Sequence, residues 1–396
     1  MLIVKGYAVH QVIITGAGPA GAYLAYLLAR QGIDVLVLEK ERLPRYKPCA
    51  GGVARKAFKL LDFQIDPVVE DMVRTVVLTH RRSRPITVSL DDPFVYTVNR
   101  DLFDAFLVEK AKDAGATVLD GVRVSRMHAD GSGVTVQAGN AGWSGEILVG
   151  ADGAMSVVAR SLELAPRKRT AVALVRDTLI HSDRSEDYKG TVKVDYGAIP
   201  GTFTWVFPKA GKLSLGAGSI FPLFKGLRSL LGEVIYMEDL AETAAASKTH
   251  GWVIPYNPKP ELLHRGRALV VGDAAGLADA LTGEGIYQAL LSARLAAETI
   301  LAEIKKPRPD LRQYTALVRK EMGPEMLTAY RIAQLFYSAS GLFHRLLEYR
   351  PELAADFVRL VGGDITYAQF FNSCITGQPS ALFKTASGIF LHPIKN

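Results

Sequence analysis

Two hydrophobic periods share the stretch QVIITGAGPAGAYLAYLLARQGIDVLVLEK, residues 11–40. Val12 to Thr15 is a short β-branched apolar run, which predicts a buried strand. Leu24, Leu27 and Leu28 then recur at helical spacing, and Gly32 stands just past the end of the helix they predict. Asp34 to Leu38 predicts a second strand, closed by Glu39. A related pattern returns at 267–301, RALVVGDAAGLADALTGEGIYQALLSARLAAETIL. There Ala268 to Gly272 predicts a strand ending at Asp273, and Ile286, Leu290, Ala293 and Ala297 share one face of a long helix. Residues 73–100 and 166–263 instead alternate β-rich runs with turns, as in TVVLTH, ITVSL and GTVKVDYGAI. They predict an antiparallel sheet inserted between parts of an α/β unit. Within GTFTWVFPKAGKLSLGAG (201–218), Phe203, Trp205 and Phe207 alternate at period two, so a strand would place all three on one face. KKPRPD (305–310) breaks the pattern, and 311–396 reads as helical and rich in Tyr, Phe and Leu.

The spacing of glycines adds chemistry to these elements. Gly16-Ala17-Gly18-Pro19-Ala20-Gly21 is a GxGxxG turn between a strand and a helix. Gly16 permits the tight turn, Gly18 lets backbone approach a pyrophosphate, and Gly21 lets helix and strand pack closely. The helix N-terminus offers unpaired N–H groups and partial positive charge to the phosphates. Glu39 follows Gly21 by 18 residues and is placed to accept from ribose hydroxyls. That unit leaves NAD and FAD open. The second patterned stretch selects FAD: Asp273 would bond a ribityl hydroxyl, and the helix begun at Gly283 and Gly285 would aim its positive end at the flavin pyrimidine, favouring the reduced anion. The fold class is therefore α/β: a Rossmann-like FAD-binding domain, an inserted antiparallel β-sheet substrate domain and a C-terminal helical region. The expected segments are 1–72, 101–165 and 264–305 for the first, 73–100 and 166–263 for the second, and 306–396 for the third.

Composition narrows the setting. The chain has 396 residues, 48% hydrophobic and 22% charged, as ordinary globular proteins do. Two cysteines, Cys49 and Cys374, are too few for a disulfide framework or an iron–sulfur cluster. A reducing, cytoplasmic setting fits. The N-terminus is too short and interrupted for a signal peptide, and no charge-free run of 18 apolar residues predicts a membrane span. A net charge of +7 favours anionic partners. No nucleic-acid motif accompanies it, and no metal-ligand cluster is apparent. The basic runs HRRSR (80–84) and RKR (167–169) read as solvated faces that would also suit a peripheral seat on anionic lipid.

With GAGPAG, Glu39, GADGAMSVVAR (150–160) and GDAAG…TGEG on the page, the chain resembles the FAD-dependent oxidoreductases built like glutathione reductase and the aromatic hydroxylases. VNRDLFDAFLVEKAKDAGATV (98–118) resembles that family's arginine-led helix, and the resemblance implies that Arg100 reaches toward FAD. It also implies that Asp152 lies beside the cofactor and that the strand near Val124 contacts adenine. A narrower resemblance, to the geranylgeranyl reductases, rests on PRYKPCAGGV and on Pro200, Phe203, Trp205, Phe207 and Pro208. Phe203 stands where that motif usually has tyrosine, so a hydroxyl is missing. Cys-Ala-Gly-Gly replaces the Cys-Gly-Glu-Gly of some members. The resemblance puts Gly16, Gly18, Pro19, Ala20, Gly21, Glu39 and Lys40 around the dinucleotide. It puts Cys49, Ala50, Gly51, Asp273, Gly283, Gly285 and Ile286 around the flavin.

What this implies is an FAD-dependent reductase of isolated double bonds in a prenyl chain, using NAD(P)H or ferredoxin as electron donor. Phe203, Trp205 and Phe207 would bind the chain, and an aromatic wall suits an isoprenoid through buried area alone. Cys49 and Trp205 are the candidate catalytic residues, and Cys49 and a flavin-bound water are the candidate proton donors. Other readings on the same scaffold are a flavin monooxygenase or halogenase, a quinone-linked dehydrogenase and a non-catalytic flavin-binding sensor.

Overall fold

A computed structural model describes residues 9–221 and 225–375. Its main sheet runs in the order His264–Arg265, Ala268–Val270, Ala141–Gly150, Val9–Thr15, Val35–Leu38, Thr117–Leu119. The first strand lies parallel to its neighbours on both sides. Its registration explains how motifs scattered over the sequence meet. Thr15 pairs with Leu38 on one side and with Gly150 on the other, and Gly150 pairs with Val270. The carboxyl ends of four strands are thus level. Gly16, Glu39, Asp152 and Asp273 all follow at that one edge, where open α/β sheets bind ligands. Buried Val12, Ile13, Ile14, Leu36 and Val37 hold the sheet between helices. The GxGxxG helix, Pro19–Ala29, packs on one face with Arg100–Asp113 and Ile286–Glu303. The strand before Asp273 ends at Val270, shorter than its apolar run, because Gly272–Ala275 turns into a short 3-10 helix.

A second sheet has seven strands, ordered His250–Tyr256, Arg169–Leu179, Lys212–Ser219, Thr202–Lys209, Thr191–Tyr196, Thr75–His80, Ser83–Ser89. It is antiparallel apart from one seam, where Thr191–Tyr196 runs parallel to Thr75–His80. That seam joins the two inserts, which no tight turn connects, and only turn-linked neighbours must reverse direction. A small third sheet pairs Gly52–Ala54 and Val69–Val73 with Val95–Val98, across the boundary expected at 72 and 73.

Five helices from Arg312 to Ile375 follow, and those at Gly323–Ser338 and Pro351–Gly362 bury Ala333, Phe336, Leu353 and Val358 against the second sheet. The run at 167–169 is less solvated than its charge suggested. Lys168 Nζ donates to the Ala274 carbonyl at 2.8 Å, and Arg169 lies over the Tyr330 ring at 5.2 Å. Arg81, Arg82 and Arg84 are exposed.

Candidate active site

Between the two large sheets lies a cavity of about 990 Å³. Its dinucleotide end is built by the GxGxxG turn. Gly16 has φ of +96°, and a Cβ there would stand 2.4 Å from the Ala151 carbonyl oxygen. The chain can make this turn beside the neighbouring strand only without a side chain. Glu39 is buried and held from two directions. Ala17 N–H donates to Oε2 at 2.7 Å and Glu41 N–H to Oε1 at 3.0 Å. Each oxygen keeps a lone pair for a ribose hydroxyl.

Behind Glu39 is a buried charge cluster that the sequence reading missed. Arg45 lies 3.8 Å from Glu39 and donates to Asp104 at 2.9 Å. Arg100 grips the same Asp104 with two bonds, of 2.8 and 3.0 Å. Burial works against the Arg100 cation, but Asp104 and the Cys49 thiol, which it also contacts, leave its pKa raised. The i,i+4 spacing of Arg100 and Asp104 was the available signal. Arg100 lines the cavity beside Lys40, Asp152 and Val124. The Asp152 carboxylate accepts from Val157 and Val158 N–H at 2.7 and 3.2 Å, which ties it to the start of the next helix. Residues 121–125, expected as a strand near adenine, are irregular, and the strand begins at Arg126. Gly21 and Gly51 lie behind the wall. A Cβ on Gly21 would meet Gly16 O at 1.9 Å, and one on Gly51 would meet Val98 O at 2.2 Å.

The other end, expected to take the flavin, is lined by Asp273, Gly283, Gly285 and Ile286. Asp279, not singled out from sequence, shapes the glycine turn: its Oδ1 accepts from Leu281 and Thr282 N–H, both at 2.9 Å, and Tyr367 donates to Oδ2 at 2.8 Å. Opposite runs the loop 45–50, stitched across the second sheet. Tyr46 donates to Asp177 at 3.2 Å and its ring lies 4.5 Å from His250. Ser214 Oγ reaches Cys49 O at 3.5 Å, and Cys49 Sγ accepts from Gly51 N–H at 3.3 Å. Cys49 and Ala50 both line the cavity. Lys47 Nζ stands 3.0 Å above the centre of the Trp252 ring. Burial, with Arg100 nearby, lowers its pKa from 10.5 to about 7, although Asp273 pulls the other way. Burial also raises the pKa of Asp273, against Lys47, Arg100 and Lys168.

Beyond the flavin end the walls turn apolar. Phe203, Trp205 and Phe207 do share one face of Thr202–Lys209, and all three line the cavity. The adjacent strand explains their pose. Trp205 pairs with Gly216 and Phe203 with Gly218. A Cβ on Gly216 would lie 1.9 Å from Trp205, and one on Gly218 would lie 2.7 Å from Phe203. The rings lie down over glycines because no side chain props them up. Val192, Val194 and Tyr196 continue this face, and Phe336, Tyr337, Phe357 and Val361 close it from the C-terminal helices. The helical segment thus forms the opposite wall, which its composition alone did not locate. Among the described residues no group of three or more His, Cys, Asp or Glu could hold a metal ion, and no helix is long and apolar enough to cross a membrane.

A family model described as an FAD binding domain matches residues 9–202. A geranylgeranyl diphosphate reductase of Rhodobacter capsulatus is 31% identical over 329 residues, covering 79% of this chain and 81% of the relative. The chain belongs to the geranylgeranyl reductase family. It is an FAD-dependent oxidoreductase of the class that acts on CH–CH groups. Among solved structures, a geranylgeranyl bacteriochlorophyll reductase-like protein from Thermoplasma acidophilum superposes with a TM-score of 0.75 at 20% identity, over 97% of this chain and 100% of that one. The flavin-dependent brominase Bmp2 follows at a TM-score of 0.71 and 18% identity, over 92% of this chain and 98% of the other. The fold is thus common to reductases and halogenases. In this reductase-family member the levelled strand ends, the sterically closed Gly16 turn and the double-held Glu39 carboxylate together fit FAD.

Proposed function

We propose that this enzyme saturates isolated double bonds of a geranylgeranyl or related prenyl chain. The observation that carries the reading is the continuity of one cavity, from the Glu39 cradle past Cys49 to an aromatic and aliphatic tunnel. The name of the Rhodobacter relative supports the same substrate class. Bound and reduced, FAD supplies hydride from N5. The residues of the chain do the rest. Glu39 holds the ribose and the N-terminus of Pro19–Ala29 faces the pyrophosphate. Arg100, Val124 and Asp152 flank the dinucleotide, and Asp273, Gly283, Gly285 and Ile286 border the flavin. Phe203, Trp205 and Phe207 seat the prenyl chain and exclude water from it, which matters because an unactivated alkene accepts hydride only with a proton placed to follow. Cys49 forms the rim between flavin and substrate. The electron donor in this reading is NAD(P)H or ferredoxin. With no second GxGxxG in the sequence, a nicotinamide would visit transiently.

The test is anaerobic reduction of the bound flavin with dithionite, followed by geranylgeranyl diphosphate. Reoxidation with a product gaining two hydrogens per double bond is the expected result. A flavin that stays reduced until oxygen enters, with oxygen or halide in the product, would assign the enzyme to the chemistry of its brominase-like neighbours instead.

A further inference from the structure

The reduction just proposed needs an acid, and a count of hydrogen-bond donors around the cavity narrows the choice. Tyr46 donates to Asp177, Tyr196 to His344 Nδ1 at 2.7 Å and Tyr337 to the Leu281 carbonyl at 3.1 Å. Tyr196 cannot be the donor's recipient, because His344 Nε2 faces the Arg84 carbonyl at 2.7 Å and so carries its proton there. Thr15 and Thr282 bond Val149 O and Asp279, and Arg45 and Arg100 are held by Asp104. Lys40 and Arg160 face solvent. Among the described residues, the donors left uncommitted in the buried part of the cavity are the Lys47 ammonium, the Cys49 S–H and the indole N–H groups of Trp205 and Trp252, and of these the Cys49 sulfur is engaged as the acceptor of Gly51 N–H. Indoles do not release protons. Lys47 makes neither a hydrogen bond nor an ion pair to a carboxylate. It rests on the Trp252 π face, which holds a cation while leaving N–H bonds free.

We propose that Lys47 is the general acid of the reaction, giving its proton to one alkene carbon as the other receives hydride. The proposal rests on the reductase reading above. The carbon–carbon π bond breaks and two C–H bonds form. The alkene gains two electrons with the hydride, the flavin is oxidised by two, and Lys47 is left as a neutral amine that water reprotonates. A nicotinamide or ferredoxin restores the reduced flavin. A lysine shifted to about 7 is a stronger acid than a free one and still reloads at neutral pH. The groups facing it are Arg45 and Cys49 from its own loop, Arg100 from the Arg100–Asp113 helix and Asp273 from the turn after the main sheet. Asp177, Lys209 and His250 on the second sheet lie behind Tyr46. Asp273 opposes the two arginines, so the ammonium is neither driven off its proton nor locked onto it.

Two measurements test this on the holoenzyme. First, indole fluorescence is followed against pH. Wild type should show a transition near pH 7 that Lys47→Met lacks. A transition only at pH 10 or above overturns the proposal. Second, single-turnover flavin reoxidation by geranylgeranyl diphosphate is compared across variants. Lys47→Met and Lys47→Arg should both slow it about 100-fold or more, with flavin and substrate affinities kept, and the wild-type rate should fall as pH rises through 7. If Lys47→Arg restores the rate, or if Lys47→Met changes KM alone, the lysine anchors an anionic head group and the proposal fails. A wild type that turns over while Lys47→Met matches it overturns the proposal alone. A wild-type flavin that no prenyl substrate reoxidises overturns the reductase reading and the proposal with it.

Discussion

Glu39 is both a ligand-facing carboxylate and a structural acceptor. Its two backbone partners, Ala17 and Glu41, belong to the two loops that border this end of the cavity, so one side chain aligns both. Glu39→Gln keeps the shape but replaces one acceptor with a donor that faces an N–H. Leaving a buried donor unsatisfied costs about 1–3 kcal/mol. The expected outcome is an unfolding free energy lower by about that amount and FAD binding weakened about tenfold, as 1.4 kcal/mol implies. Flavin fluorescence titration reads the second effect. An unchanged affinity would mean that the backbone alone holds the ribose.

On the scale of elements, the aromatic strand and its glycine-bearing neighbour act as one part. The rings of Phe203 and Trp205 occupy the space that side chains at 218 and 216 would fill. Gly216→Val should therefore unseat Trp205 and destabilise the protein by about 1–3 kcal/mol, the usual cost of overpacking. Near-UV circular dichroism should change with it, while FAD absorbance persists, since the dinucleotide end lies in the other sheet. Period-two spacing was enough to read the aromatic face from sequence. The role of the glycines in the SLGAG run was not legible, because nothing local says which strand will lie beside it. Likewise the GxGxxG unit and its two strands were legible, being contiguous and strongly patterned. Asp279 and the helical wall at Phe336 and Tyr337 were not, because each acquires its role from a partner distant in the chain, such as Tyr367 or Phe203. Nothing in the PRYKPCAGGV run marks Lys47 as a buried cation. Its seat on Trp252 joins residues about 200 apart and leaves no local trace.

Across the whole molecule, burying Lys47 links stability to pH. Its folded pKa, about 7, lies below the 10.5 of the free side chain. Below pH 7 both folded and unfolded chains hold the proton, and the folded chain bears the full cost of the buried charge. Between about 7 and 10.5 the unfolded chain binds the proton and the folded chain does not, so stability rises with pH. At 1.36 kcal/mol per pKa unit the whole effect is about 5 kcal/mol. Urea denaturation of apoprotein should show wild type gaining on Lys47→Met by an amount of this order between pH 7 and pH 10. A difference that stays flat over that range would place the ammonium in water.

The levelled strand ends also govern when the protein can be finished. The first strand, Val9–Thr15, needs Ala141–Gly150 beside it, and that strand in turn needs Ala268–Val270. The tunnel wall is completed only by Phe336 and Phe357. Pairings of such long sequence separation pay loop-closure entropy before they gain contacts, which slows folding. During synthesis the glycine turn emerges early and its four central strands are out by residue 150, but the strand Ala268–Val270 that carries Asp273 comes more than a hundred residues later. A truncated product ending ahead of residue 268 would leave the ribosome with its glycine turn in place and the Asp273 and Gly283 side of the cavity missing.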